Sequence, residues 1–290
     1  MRVLKPFDYF EPGTVREAAQ LLATHAGSAR VLAGGIDLIP RMRMGKIKAD
    51  VLVNIQKIPG LDAVEADSAG SLKFGAMATL HSLETSKAVR ESYPALYKAI
   101  HQISSVQAKH MGTAVGNLCV ATPASDVATS LFALGAELTI TGVEGERKEP
   151  IHAFYLDYGR TSLQSGEMVT EVFLPAPPAG TGTAFMNLIR THADIAKVTV
   201  ATVITATGGI CREARIAVGA AAPTVFRAAK AEAVLKGQKV TPETIHEAAE
   251  KAAGETEPIT DLRSTAEYRR EMTGVLVRRA LEKASAKAKS

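Results

Sequence analysis

Apolar and polar positions along this chain change period several times, and each change marks an element. "TVREAAQLLATHAG" repeats its apolar residues at helical spacing. Thr14 can cap it, Glu17 stands in capping-box spacing, and Gly27 closes it. "ARVLAGG" then reads as a short apolar strand stopped by glycines, "ADVLVNIQKIPGL" as a strand running into a Pro-Gly turn, and "SLKFGAMAT" as another strand. Helical spacing returns over "HSLETSKAVRESYPALYKAIHQIS". A break is predicted before Pro94, because a proline pushes the residue ahead of it out of the helical region.

Residues 110–142, "HMGTAVGNLCVATPASDVATSLFALGAELTITG", fit neither period at first. The opening part is rich in Gly, Thr, Ser and Pro with almost no charge, which reads as buried loop or ligand lining. From Ser125 onward, "SDVATSLFALG" has the cap, apolar face and final glycine of a short helix, and a strand follows. A domain boundary is predicted at "VFLPAPPAGTGT", where three prolines and two glycines fall within twelve residues. Beyond it come the strand candidates "AFMNLIR", "AKVTVATVITATGG" and "ARIAVGAAAPT". The helices "FRAAKAEAVLKG", "TPETIHEAAEKAAG" and "STAEYRREMTGVLVRRALEKASAK" follow, with no internal repeat. Segregated strands and helices predict an α+β layer for the second half.

Composition narrows the function classes. The 290 residues are 46% hydrophobic and 22% charged, as in an ordinary globular protein. Aromatic residues are few and Trp is absent, which argues against a base-stacking surface. The net charge of +4 comes largely from "VRRALEKASAKAKS", read as a frayed helix end rather than a nucleic-acid patch. Two distant cysteines, Cys119 and Cys211, cannot build an iron–sulfur or structural zinc site. "MRVLKPFDYF" lacks the apolar core of a signal peptide, and no apolar run reaches membrane-spanning length. The expected location is the cytoplasm.

Two segments carry candidate chemistry. Gly34 and Gly35 read as a plain strand-to-turn pair, or as bare backbone whose N–H groups from residues 33 to 38 close around a phosphate. "AGG" is no G-x-G-x-x-G fingerprint, and Pro40 follows in a charged, Met-rich loop, so a Rossmann site is disfavoured. Asp37 is awkward beside phosphate, since like charges repel; its backbone N–H is the better contact. "GTAVGNLCVATPASD" reads as a polar-backbone loop suited to a heterocycle, a diphosphate or ribityl hydroxyls. Asp126 is read first as a helix N-cap, with room to accept from a ligand hydroxyl as well. Cys119 reads as a small buried residue without a base partner. No H-x-x-H, H-E-x-x-H or G-x-S-x-G spacing occurs, so a metal site or serine hydrolase is not expected.

"AGGIDLIPRM", followed about eighty residues on by "GTAVGNLCVATPASD", resembles the FAD-binding medium subunits of the molybdenum hydroxylases, the xanthine and carbon monoxide dehydrogenase family. "FDYFEPGTVREAAQLL", "RTHADIAKVTVAT", "ARIAVGAAAPTVFRAAKAEAVLKG" and "DLRSTAEYRREMTGVLVRRAL" extend the likeness over nearly the whole chain. The resemblance implies an α+β protein. Residues 1–176 would form a vanillyl-alcohol-oxidase (PCMH)-type FAD-binding domain of two α/β subdomains, about 1–57 and 58–176. Residues 180–290 would form a C-terminal flavoprotein domain. It implies that Ala33, Gly34, Gly35, Ile36, Asp37 and Leu38 wrap the FAD pyrophosphate, with Leu32 beside them. Thr113, Ala114, Val115, Gly116 and Asn117 would bind the diphosphate and ribityl region. Asp126 would bond FAD hydroxyls, Leu163 would pack near the isoalloxazine, and Ile103 would add an apolar contact. No catalytic side chain and no metal ligand is implied on this chain.

The family usually has T-I-G-G-N where this chain has Thr113–Asn117, so Val115 replaces a glycine. A β-branched residue resists positive φ, which predicts a different course for this loop. Lys109 and His110 replace the usual Arg and Asn, and Met186 stands where several relatives place a lysine near the flavin. These changes predict FAD held more loosely or tuned differently. The resemblance implies an electron-transfer subunit in a heterotrimer or a dimer of heterotrimers. A large subunit would carry the molybdopterin cofactor with molybdenum or tungsten, and a small one two-iron iron–sulfur clusters. An external acceptor such as NAD, a quinone or ferredoxin would complete the path. The alternatives are a self-contained flavin oxidoreductase and a scaffold that kept the fold without flavin.

Overall fold

The computed structural model describes residues 4–288. Residues 1–3 of the opening segment and the last two of the basic tail lie outside the described residues. The N-terminal layer is a three-stranded parallel sheet in which Val51–Asn54 lies between Asp8–Phe10 and Ala29–Leu32. The helix Val15–Thr24 covers it, capped by Thr14, whose Oγ1 accepts from Glu17 N at 3.1 Å. Glu17 in turn accepts from Gly13 N at 2.8 Å, so the expected acidic partner works one residue ahead of the cap.

A five-stranded antiparallel sheet follows, in the order Val64–Ala66, Leu72–Gly75, Met168–Leu174, Glu137–Gly142, Gly145–Pro150. The helical stretch after it breaks twice. Leu80–Thr85, Lys87–Ser92 and Pro94–His101 are separate helices, because Ser86 caps the second by accepting from Val89 N. The segment read as loop from His110 onward instead holds the end of one short helix, Val106–Met111, and the whole of another, Ala114–Cys119. The helix Asp126–Leu134 ends on Gly135 in the left-handed conformation (φ 72°).

The C-terminal part is a four-stranded antiparallel sheet of Thr181–Leu188, Val198–Thr207, Ile210–Gly219 and Phe226–Arg227. One face packs on the helices Ala229–Leu235, Pro242–Gly254 and Ala266–Ala288. The other face meets Asp126–Leu134, where Phe185, Ala201 and Ala217 join the first core. Burial along most of its length explains why Val198–Thr207 carries no charged residue. The last helix is regular to Ala288 and buries Leu276, Val277, Leu281 and Ala284. Within the described residues the basic tail is therefore packed helix, not a frayed end. Among those residues no helix is long and apolar enough to cross a membrane.

Candidate cofactor site

The parallel strand Ala29–Leu32 delivers the chain into the turn at residues 33–37, and the short helix Leu38–Arg43 takes it out. This corrects the loop expected around Pro40. Pro40 sits in the first helical turn, where its missing N–H is not needed. Gly35 has φ +70°, a conformation that favours glycine. Gly34 is required for a different reason: a Cβ there would stand 1.8 Å from the Met111 carbonyl oxygen. On the facing segment, a Cβ on Gly112 would stand 2.7 Å from both Ala108 O and Ile36 Cδ1. Two glycines, one on each segment, thus allow them to pack backbone to backbone. Gln56 Nε2 donates to Ala33 O at 2.7 Å and holds the entry to the turn.

The second segment is anchored by a bridge between Thr79 and Thr113, with Leu80 N donating to Gly112 O and Ala114 N to Ala78 O. Thr113 caps the helix Ala114–Cys119, its Oγ1 accepting from Gly116 N at 2.9 Å. Val115 lies inside that helix and is absent from the residues with positive φ. The strain expected from losing a glycine there does not arise. Lys109 and His110 are likewise built in. Lys109 Nζ pairs with Glu84 at 2.8 Å and His110 stacks on His81 with ring centroids 3.8 Å apart, tying Val106–Met111 to Leu80–Thr85. For Glu84, burial opposes the charge, but hydrogen bonds from Lys109 and His101 hold its carboxyl below the usual range.

A third wall comes from residues 161–169. Arg147 clamps it, with Nε and Nη2 on the Glu167 carboxylate at 2.7 and 2.8 Å and Nη2 also on Ser162 O. Gln164 N donates to the same carboxylate, and Arg147 Nη1 reaches Glu149. These contacts present Leu163 and Gln164 to the interior.

The three walls enclose a cleft of about 960 Å³. Ala33, Gly34, Gly35, Ile36, Asp37, Leu38, Thr113, Val115, Gly116, Asn117 and Leu163 all line it. Leu32, Ala114, Ile103 and Asp126 do not. Leu32 supports Gly35 from beneath, its Cδ1 3.1 Å from where a Cβ would stand. Ala114 is fully buried and Ile103 packs on the first core. Sequence reading missed Arg30, Arg41 and Lys46, which bring positive charge to the cleft. Asp37 Oδ2 pairs with Arg41 Nε at 3.3 Å, which removes the conflict foreseen between an acid and a phosphate. Cys119 opens onto the cleft instead of being buried.

Asp126 is not the helix cap. Ser125 is, with Oγ accepting from Ala128 N at 2.9 Å and donating to Asn117 Oδ1. Asp126 is left half-buried at the seam with the C-terminal sheet, where Oδ2 accepts from Asn187 Nδ2 at 3.2 Å. Its Oδ1 is buried without a partner. Burial pushes this carboxyl up to about 7, against the pull of the Asn187 hydrogen bond. Asn187 was not singled out in the sequence, which marked "AFMNLIR" only as a strand. Ala184, Met186 and Leu188 face the helices, so alternation turns Asn187, not Met186, toward Asp126.

A dinucleotide fits this arrangement. Bare backbone at two glycines and positive side chains suit a diphosphate. Fold and cleft together define a two-part flavin-binding protein. Residues 5–177 match the FAD binding domain in molybdopterin dehydrogenase, and residues 183–284 match the CO dehydrogenase flavoprotein C-terminal domain. The carbon monoxide dehydrogenase medium chain of Afipia carboxidovorans is 34% identical, covering 98% of each chain. The alpha subunit of the 6-hydroxypseudooxynicotine dehydrogenase complex of Paenarthrobacter nicotinovorans is 32% identical, covering 97% of this chain and 96% of that one. A solved carbon monoxide dehydrogenase from Hydrogenophaga pseudoflava superposes with a TM-score of 0.95 at 34% identity, over 98% of this chain and 99% of that one. The chain belongs to the molybdenum hydroxylase family as its medium, FAD-binding oxidoreductase subunit.

Proposed function

We propose that this subunit carries electrons between iron–sulfur clusters of a small partner subunit and an external acceptor, while a large molybdopterin subunit transforms the organic substrate. The observation that carries the reading is the backbone contact between Gly34 and Met111, which brings two glycine-bearing segments into one charged cleft. FAD supplies the redox chemistry there, taking up and releasing electrons in ones or twos. The residues of this chain bind and orient it. Ala33–Leu38 and Thr113–Asn117 hold the diphosphate and ribityl region, Arg41 and Lys46 balance its charge, and Leu163 packs on the ring. Leu32, Ala114 and Ile103 support these contacts from behind, and Asp126 accepts from a cofactor hydroxyl at the seam. Residues 1–176 and 180–290 act as the FAD-binding and flavoprotein C-terminal domains of a cytoplasmic heterotrimer, or a dimer of heterotrimers.

The test is an absorption spectrum of the purified chain, with the released cofactor identified by chromatography and mass. FAD near one per chain, and co-purification with an iron–sulfur and a molybdopterin subunit, are the expected results. Flavin-free protein, both alone and in an intact complex, would overturn the reading in favour of a scaffold.

A further inference from the structure

This inference rests on the reading of the cleft and seam as an FAD site. Asp126 opens its helix directly after the Ser125 cap, so capping does not occupy its carboxylate. One oxygen, Oδ2, is taken by Asn187 from the C-terminal sheet, and the other, Oδ1, is buried without a partner. A carboxylate offers acceptor sites on both oxygens, and leaving a buried one unmet is unfavourable. The amide therefore decides which oxygen stays available.

We propose that Asn187 is a positioning residue for the cofactor: by holding Asp126 Oδ2 it keeps Oδ1 available to accept from a hydroxyl of bound FAD, and it links cofactor binding to the seam between the two parts of the chain. A hydroxyl donating to Oδ1 favours the ionised carboxylate. With Asp126 pushed up to about 7 by burial, FAD affinity rises as pH passes through neutrality. Removing Asn187 withdraws a hydrogen bond that favours ionisation, so the rise moves to higher pH. The titratable groups on elements packed against this helix are Tyr97, Lys98, His101, Cys119, His152, Cys211, Arg212, Glu213, Arg215 and Arg227. None of them contributes to the Asp126 shift. His101 is held by Glu84, Arg215 by Glu213 and the Leu134 carbonyl, and Arg227 by Glu232.

The experiment strips flavin from the full chain and titrates FAD back by fluorescence quenching between about pH 6 and 8.5. In the wild type, affinity is expected to rise with a midpoint near 7. Asn187→Leu is expected to weaken FAD about tenfold at neutral pH and to move the midpoint up. Asn187→Ser, with a shorter reach, should act in the same direction. Asp126→Asn should flatten the profile, and the double variant Asp126→Asn/Asn187→Leu should bind no worse than Asp126→Asn alone. An unmoved profile in Asn187→Leu, or losses that add in the double variant, would overturn the proposal while leaving the cofactor site standing. A wild-type chain that takes up no FAD at any pH would overturn the cofactor reading itself.

Discussion

Gly34 lies against the main chain of Met111 so closely that a single methyl group at residue 34 would come within 1.8 Å of the Met111 carbonyl oxygen. Backbone cannot give way as a side-chain tip can, so Gly34→Ala forces the two segments apart. FAD content is expected to drop at least tenfold, with a loss of roughly 2–4 kcal/mol in stability. Gly60→Ala is the control. Gly60 has φ +81° but open space around it and lies off the cleft lining, so only about 1 kcal/mol of backbone strain is expected and FAD is retained. The flavin-to-protein absorbance ratio and thermal denaturation read both outcomes.

Asp126 makes the flavin-free protein pH-sensitive. Its folded-state carboxyl is raised from 3.8 to about 7, so the folded chain binds more protons than the unfolded chain between those values. Stability therefore falls as pH rises through that window, and the penalty is complete above it. Asp126→Asn is expected to be more stable than the wild type at pH about 8, by roughly 2–4 kcal/mol, and no more stable near pH about 4. Urea denaturation of both proteins at the two pH values measures this. A difference that does not change with pH would refute it.

Arg147 holds the third wall through Glu167, Glu149 and the Ser162 carbonyl. Arg147→Met removes the paired hydrogen bonds and leaves the two carboxylates facing each other. Weaker FAD binding, by about fivefold, and faster proteolytic cleavage within residues 161–167 are expected. Arg147→Lys keeps the charge without the fork and should recover only part of the affinity. Equal affinity in all three proteins would mean that this wall does not touch the cofactor.

Glu84 and Lys109 form an ion pair with both side chains largely covered. Glu84→Ala leaves an ammonium group without its partner, with an expected cost of roughly 2–3 kcal/mol. Replacing both, as Glu84→Leu/Lys109→Met, should recover most of it, because no lone charge remains. Chemical denaturation of the two variants separates these outcomes.

Exposed Lys46 and half-buried Arg41 bring positive charge to the cleft, so FAD affinity should fall as salt rises. Lys46→Ala is expected to weaken FAD a few-fold at low salt and to flatten that dependence. Titrations at two ionic strengths would show it, and an unchanged salt slope would remove Lys46 from the site.

Much of this architecture was legible because long periodic segments announce themselves. The helix from Val15, the strand into Gly34 and the segregated C-terminal half all follow from spacing and caps. The site was harder to read where elements are short or covered on both faces. Ala114–Cys119 is too brief to show a helical period, so a glycine-containing first turn passed for loop and Val115 looked strained. Ser125 and Asp126 are both good capping residues, and only geometry shows that Ser125 caps while Asp126 is left for other work. In Thr181–Leu188 burial on both faces erased the alternation that would have separated Met186 from Asn187. The pairings of Asp37 with Arg41 and of His81 with His110 depend on how helices pack, which no local pattern reports.

The contact between Gly182 and the last helix has a consequence for how the protein is made. A Cβ at Gly182 would stand 1.9 Å from the Ala284 carbonyl, so the first strand of the C-terminal sheet is shaped around the final turns of the chain. About a hundred residues separate the two, and loops of that length close slowly. The walls of the cleft, by contrast, all lie between Leu22 and Val169 and are complete much earlier in synthesis. Synthesis therefore completes every residue of the cleft walls well before the last helix, against which the strand at Gly182 is packed.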